Sequence, residues 1–336
     1  MLFLVRWKKG EAYCVSDTTS HSGPIAHIIT LYAQFPSSEW GAYACFSFLS
    51  EDTLVIPNLI QNTLEIVKVV IKSDDIPCLV PLCALNLPPL TRLASIIRLG
   101  CRSDPNPTGS SPLAIPAPSN RPFRDKAEDA VTLFRVLTEN IKIRPGQPNL
   151  FETRPFTFIV HRRALFDHIP AAHRACAPFC SIPEPAPVAV KVPWEAWGAS
   201  ATRWFEVDPA SMCWITTTAG QRAVTMEDGA STSIIVRDFN PYAVRSARAR
   251  AAASGHLQQH CDWREELPNG NQMTLKVDDN VIAAGSVFED DVRSSLPYVE
   301  IVTRADYGYK GVLIDEERIL GLKVCACSSC FRFVGY

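Results

Sequence analysis

The chain reads as an all-β protein, a propeller-like, WD-repeat-like array of antiparallel meanders with a few short helices in long loops. Three observations carry this reading. Short runs of β-branched and aromatic residues recur between Gly, Pro, Asn, Asp and Ser punctuation, short polar turns join neighbouring runs, and helical patterning is confined to a few segments.

The first run, 2–7, ends at Lys8-Lys9-Gly10-Glu11, a turn whose glycine tolerates positive φ. Runs 44–48, 53–57 and 63–70 follow, separated by Ser50-Glu51-Asp52 and by the polar segment 58–62. Three strands with two tight turns are most of one propeller blade. Further strands are expected at 95–99, 131–137, 156–160, 204–207, 212–217, 221–226, 233–238, 299–302 and 311–314. Two proline-rich stretches, 102–124 and 178–193, interrupt this pattern. Proline cannot donate to a ladder, so both are expected as surface excursions. Helices are expected at 162–175 and from 242 to about 263, the second opened by Asn240-Pro241. One propeller-like domain is expected over 1–323, incomplete at its N-terminus, with a Cys-rich tail at 324–336.

Composition narrows the function classes. Apolar residues make up 47% and charged residues 20% of 336, and the formal net charge is −2, so no global field favours a polyanion. Nucleic acid is not an expected partner. Residues 1–5 are apolar but are followed at once by Arg6, and no cleavage pattern of small residues appears. The most apolar later window, 78–94, is broken by Pro81, Pro88 and Pro89, so no membrane helix is expected. The expected location is cytoplasmic or nuclear. A reducing compartment would leave most of the twelve cysteines as small buried hydrophobes.

Several ordered segments go beyond a generic β pattern: FSFLSEDTLVIPN…LEI (46–66), RSDPNP (102–107), RPFTFIVHRRAL (154–165), VPWEAWGASATRWF (192–205), AGQRAV (219–224), IIVRDFNPYAVR (234–245), SSLPYVEIV (294–302) and GVLIDEERILGLK (311–323). Their succession resembles the C-terminal propeller-like region of F-box or F-box-like proteins of mushroom-type fungi (basidiomycetes). The resemblance implies a non-catalytic protein-interaction module, the substrate-receptor end of a ubiquitin ligase, with an unidentified protein or degron as partner. Residues 1–45 do not resemble an F-box. A Skp-type adaptor is therefore expected as a partner only if an F-box lies upstream.

Several clusters could carry chemistry, and each also fits a structural role. Cys325, Cys327 and Cys330 have the spacing of a zinc or redox motif but lack an evident fourth ligand. His168, His173, Cys176 and Cys180 bring four potential ligands together, but Pro170 and Pro178 break the helix that would aim them. His256 and His260 share a helix face, yet Leu257 stands where a zinc protease needs its glutamate. Asp315-Glu316-Glu317-Arg318 reads as a hairpin turn between apolar runs. Arg245, Arg248 and Arg250 read as a solvated helix face. Trp204 and Trp214 are expected in the core, and Trp194 and Trp197 on a binding rim. No nucleophile elbow, phosphate-binding glycine loop or dinucleotide fingerprint appears. No catalytic, cofactor-binding or metal residue is therefore assigned, and no enzyme activity or cofactor is expected. The alternatives left open are a metal-binding protein or hydrolase-like enzyme using the Cys/His clusters, and a paralogue that has lost its function.

Overall fold

The computed structural model describes residues 4–8, 11–15, 45–50, 52–71, 77–103, 127–143, 149–174, 189–207, 217–226, 233–255, 262–285, 287–305, 307–309, 311–315, 318–324 and 331–335. Strands dominate, and almost every pairing among them is antiparallel.

A two-stranded hairpin, β1 (Leu4–Lys8) and β2 (Glu11–Val15), comes first. The first large sheet is the meander β3 (Ser47–Phe48), β4 (Thr53–Asn58), β5 (Thr63–Ile71) and β6 (Pro77–Asn86). The second sheet is the meander β7 (Ala94–Ser103), β8 (Val131–Lys142) and β9 (Leu150–His161). Between its last meander strand and its fourth strand the chain detours. Helices α1 (Arg162–Phe166) and α2 (Ala171–Arg174) are separated at Pro170, and strand β10 (Val190–Val192) then returns to the first sheet, parallel to β6. Helix α3 (Trp194–Ala201) leads into β11 (Thr202–Glu206), which completes the second sheet beside β9.

The third sheet has the order β12 (Thr218–Ala219), β13 (Arg222–Met226), β14 (Ile234–Asp238), β19 (Tyr298–Val302), β16 (Gln272–Lys276), β15 (Trp263–Glu266). Helix α4 (Pro241–Ala253) follows β14, capped by the Asn240 side chain, which accepts from the Tyr242 N–H. A small hairpin, β17 (Asn280–Ile282) and β18 (Val292–Ser294), lies between β16 and β19. Strands β20 (Gly311–Ile314), β21 (Ile319–Val324) and β22 (Phe331–Gly335) form the last sheet.

Sheets follow one another face to face in chain order. Period-two alternation sends Phe134, Val136, Phe156, Phe158 and Trp204 to one face of the second sheet, where they pack with Val55, Leu64, Ile66 and Leu85 of the first. Val131, Leu133 and Ile159 point the other way, against Ala223, Phe239 and Tyr298 of the third-sheet region. The far side of the third sheet is covered at β12–β14 by Val312, Ile314 and Tyr309, and at β16 and β19 by Val244 and Ala247 of α4. The second and third sheets thus carry apolar packing on both faces, fullest in the middle of β8 and β9.

Aromatic packing anchors the first interface. Cys101, Phe134, Phe158 and Trp204 are neighbours in register across four strands. Phe134 stacks on Phe158 at 4.7 Å and Phe158 on Trp204 at 4.6 Å. Trp194 and Phe288 close edge-on against Trp204, and Trp197 meets Trp194 edge-on while its Nε1 donates to the Asn86 carbonyl at 2.8 Å. Trp194 and Trp197 are thus buried core residues, which corrects their expected place on a rim. The cause is α3: at helical spacing both rings turn inward onto one core. Gly198 leaves room for the Trp194 ring, into which any Cβ there would run. Gly198→Ala is expected to lower stability by about 1–3 kcal/mol, read as a drop in urea midpoint at unchanged slope.

The meander expected over 44–70 is present as β3, β4 and β5, and the turn expected at 315–318 joins β20 to β21. The expected helix at 162–175 is two short helices, because Pro170 interrupts it, and the later helix spans 241–253. The tail boundary expected after 323 falls inside β21, and β22 pairs with that strand. Most of 102–124 and 178–193 lies outside the described residues, apart from the end of β7 and, at 190–192, strand β10. No helix among the described residues is long and apolar enough to cross a membrane. The described strands close neither into a barrel nor into a ring.

Candidate partner-binding surface

The outer face of the first sheet changes character along its strands. Cross-strand neighbours set Leu54 beside Val67, Ile56 beside Glu65 and Asn58 beside Thr63, and the Glu65 row continues through Ala84 to Lys191. One half is apolar: Leu54, Ile56, Val67 and Val69 are buried with Phe46, Phe48 and Leu79 against them. The other half opens into a cleft of about 440 Å³ lined by Asn58, Ile60, Thr63, Glu65, Ala84 and Lys191, among others.

Asn58 builds the cleft's end. Its Oδ1 accepts from the Ile60 and Gln61 N–H groups at 3.0 Å each, and its Nδ2 donates to Glu65 Oε1 at 2.6 Å. A side chain that mimics a backbone turn in this way fixes the β4–β5 connection. Asn62 then takes a left-handed φ of 53° and donates to the Pro88 carbonyl at 3.1 Å, which ties the turn to the chain leaving β6. The Thr63 hydroxyl is buried in the cleft wall without a hydrogen-bond partner. Burial pushes the Cys83 thiol, also on the cleft wall, up to about 12. At neutral pH it stays protonated and is a poor nucleophile.

Apolar side chains gather at the same end of the sheets. The register sets Ile141 beside Phe151 and Lys142 beside Leu150, and the Ile141 N–H donates to the Leu93 carbonyl. Ile143, Leu150 and Phe151 thus stand at the tip of the β8–β9 hairpin, with Leu93 alongside. Ile143 is 65% exposed, Phe151 57% and Ile60, on the cleft turn, 69%. Charged residues rim the hairpin stem: Glu152 pairs with Lys142 and with Arg154, which hold its carboxyl below the usual range, Lys142 being the larger influence. By register Ile141, Ile143 and Phe151 share one face of the hairpin, and Lys142, Leu150, Glu152 and Arg154 share the other.

The motifs singled out in the sequence fall elsewhere. Cys325, Cys327 and Cys330, Cys176 and Cys180, His256 and His260, and Trp214 lie outside the described residues. His168 follows α1, its pKa lowered by partial burial, and His173 lies in α2. Among the described residues no group of three or more His, Cys, Asp or Glu side chains is placed to hold a metal ion. Arg245, Arg248 and Arg250 are exposed on α4; Arg245 lies over the Tyr242 ring at 4.3 Å and Arg250 pairs with Glu265. Arg318 pairs with Asp315 within the β20–β21 turn.

Thr63, Glu65 and Lys191 escaped the sequence reading because they carry no common motif. Lys191 reaches the cleft only through the parallel pairing of β10. The signal that could have flagged the hairpin tip is apolar Ile143, Leu150 and Phe151 flanking a Pro-Gly-containing turn, where solvated residues are the rule. In comparisons with known proteins, no family model, no curated protein and no solved structure matches this chain.

Proposed function

We propose that the chain is a non-catalytic protein-interaction module whose stacked meanders belong to a propeller-like array, and that it takes its partner at the end carrying the hairpin tip and the cleft. The observation that carries this reading is the exposure of Ile143, Phe151 and Ile60 together at one end of two otherwise well-buried sheets. Large exposed apolar side chains are what a protein partner covers, and three at one end of the sheets fit that use. The propeller-like arrangement is supported by antiparallel sheets that succeed one another face to face in chain order, as blades do. By resemblance to fungal F-box proteins, the partner is a degron-bearing protein, and the role is that of a substrate receptor.

The test compares proteins retained from a basidiomycete extract by the wild-type chain and by Ile143→Ser and Phe151→Ser. Loss of one central anchor is expected to cost about 2 kcal/mol, or about thirtyfold in affinity for a genuine partner. Both side chains are exposed, so the melting temperature should be unchanged. Identical retained sets for all three proteins would overturn the assignment of this surface.

A further inference from the structure

Cys45 and Cys101 stand apart from the other described cysteines. Cys45 lies two residues before β3, at the edge of the first sheet, and Cys101 lies on β7 at the edge of the second. Their sulfurs are 3.4 Å apart, and the Cys101 N–H donates to Cys45 Sγ at 3.0 Å. Cys101 is buried, whereas Cys45 is partly open to solvent.

We propose that Cys45 and Cys101 form a reversible oxidation site, at which a hydroperoxide converts the two thiols into a disulfide joining the first and second sheets. The observations assign different parts to the two sulfurs. Cys45 is the less buried of the two, and a backbone N–H aimed at its sulfur stabilises negative charge there. The hydrogen bond from the Cys101 thiol is the main influence lowering the Cys45 pKa; burial opposes it, and the Arg102 and Arg98 guanidinium groups add smaller lowering contributions. Burial is the main influence raising Cys101, so this sulfur stays a thiol until its neighbour has reacted.

The chemistry runs in two displacements. The Cys45 thiolate attacks the terminal peroxide oxygen; an S–O bond forms, the O–O bond breaks, and the leaving alkoxide (hydroxide for hydrogen peroxide) takes a proton to become the alcohol (or water). Cys45 is then a sulfenic acid. The Cys101 sulfur attacks the Cys45 sulfur, the S–S bond forms, the S–O bond breaks, and the hydroxyl leaves as water with the Cys101 proton. In sum, two thiols and one hydroperoxide give a disulfide, water and the alcohol (a second water for hydrogen peroxide), a two-electron oxidation that a dithiol reverses.

Bond formation requires the sulfurs to close by roughly 1.4 Å, from 3.4 Å to about 2.05 Å. Residues 45 and 46 lie outside any strand, so the Cys45 side can make that movement without breaking a ladder. Among the described residues no third metal ligand accompanies the pair.

The experiment uses the full chain, reduced, freed of reductant and treated with equimolar hydrogen peroxide before thiols are blocked by alkylation. Peptide mapping without reduction should find Cys45 joined to Cys101 in most oxidised chains, and dithiothreitol should restore both thiols. In Cys101→Ser, Cys45 should stop at a sulfenic acid that dimedone traps. In Cys45→Ser, peroxide-driven loss of the Cys101 thiol should slow by about tenfold or more. The proposal is overturned if Cys45 proceeds to sulfinic acid while Cys101 stays reduced, if either sulfur pairs with a different cysteine, or if neither reacts. Mapping of the wild-type chain decides the matter even if a variant fails to fold.

Discussion

Trp204→Ala is expected to remove about 3–5 kcal/mol of stability and to leave little folded protein at 37 °C. Trp204 is 1% exposed and is the ring on which the first interface converges. Phe158 stacks on it, and Phe156, Phe288 and Trp194 meet it at 5.7–6.3 Å. Truncation therefore leaves a cavity walled by rings from β9, α3 and the segment before β18, which cannot all relax inward. Trp204→Phe tests the explanation. The Trp204 Nε1 has no hydrogen-bond partner, so phenylalanine gives up ring area without orphaning an acceptor. Its loss should be about half that of alanine or less. Urea denaturation followed by tryptophan fluorescence and circular dichroism measures both. A loss below about 1 kcal/mol for Trp204→Ala would contradict the packing described.

The second large effect is electrostatic. Asp52 and Lys68 form an ion pair at 3.1 Å with side chains 9% and 4% exposed. Asp52 also accepts from the Ser50 and Thr53 hydroxyls at 3.0 Å each. Removing the carboxylate strands the ammonium where water does not reach it, so Asp52→Ala should cost about 3–5 kcal/mol. Lys68→Met is expected to cost less, because it leaves a carboxylate that still has hydroxyl donors. The double substitution Asp52→Ala/Lys68→Met should recover most of the single loss, since a buried pair and a well-packed apolar replacement are close in free energy. Additive losses in the double-mutant cycle would show that the two groups do not depend on one another.

Local signals made part of this fold legible. Over 44–70, the alternation of β-branched residues and the Ser-Glu-Asp turn were enough to place β3, β4 and β5, because each pairs with its neighbour in sequence. The Asn240-Pro241 start of α4 was legible for the same reason: the cap and its helix are adjacent. What could not be read depends on partners distant in the chain. Val190–Val192 looks like part of a proline-rich linker, and only the first sheet, already built, makes it a strand. Trp194 and Trp197 look like a surface pair after a proline, yet their three-residue spacing is that of one helix face, and Gly198 obscured it. The cleft and the Cys45–Cys101 pair share this difficulty, since their residues meet only when sheet edges meet.

Strand β10 also has a consequence in the order of synthesis. Until Val190–Val192 is made, β6 is the outermost strand of the first sheet, with Leu82 and Leu85 committed to the core but one row of backbone groups unpaired. Roughly a hundred residues separate β6 from its last neighbour, which at about 5–20 residues per second leaves that edge open for ~5–20 s on the ribosome. An uncovered edge of this kind recruits any passing strand. The nascent chain is therefore most exposed to misassembly after its first sheet has formed and before its second is complete. A chaperone that shields sheet edges over that interval should raise the yield of soluble protein more than one acting after release.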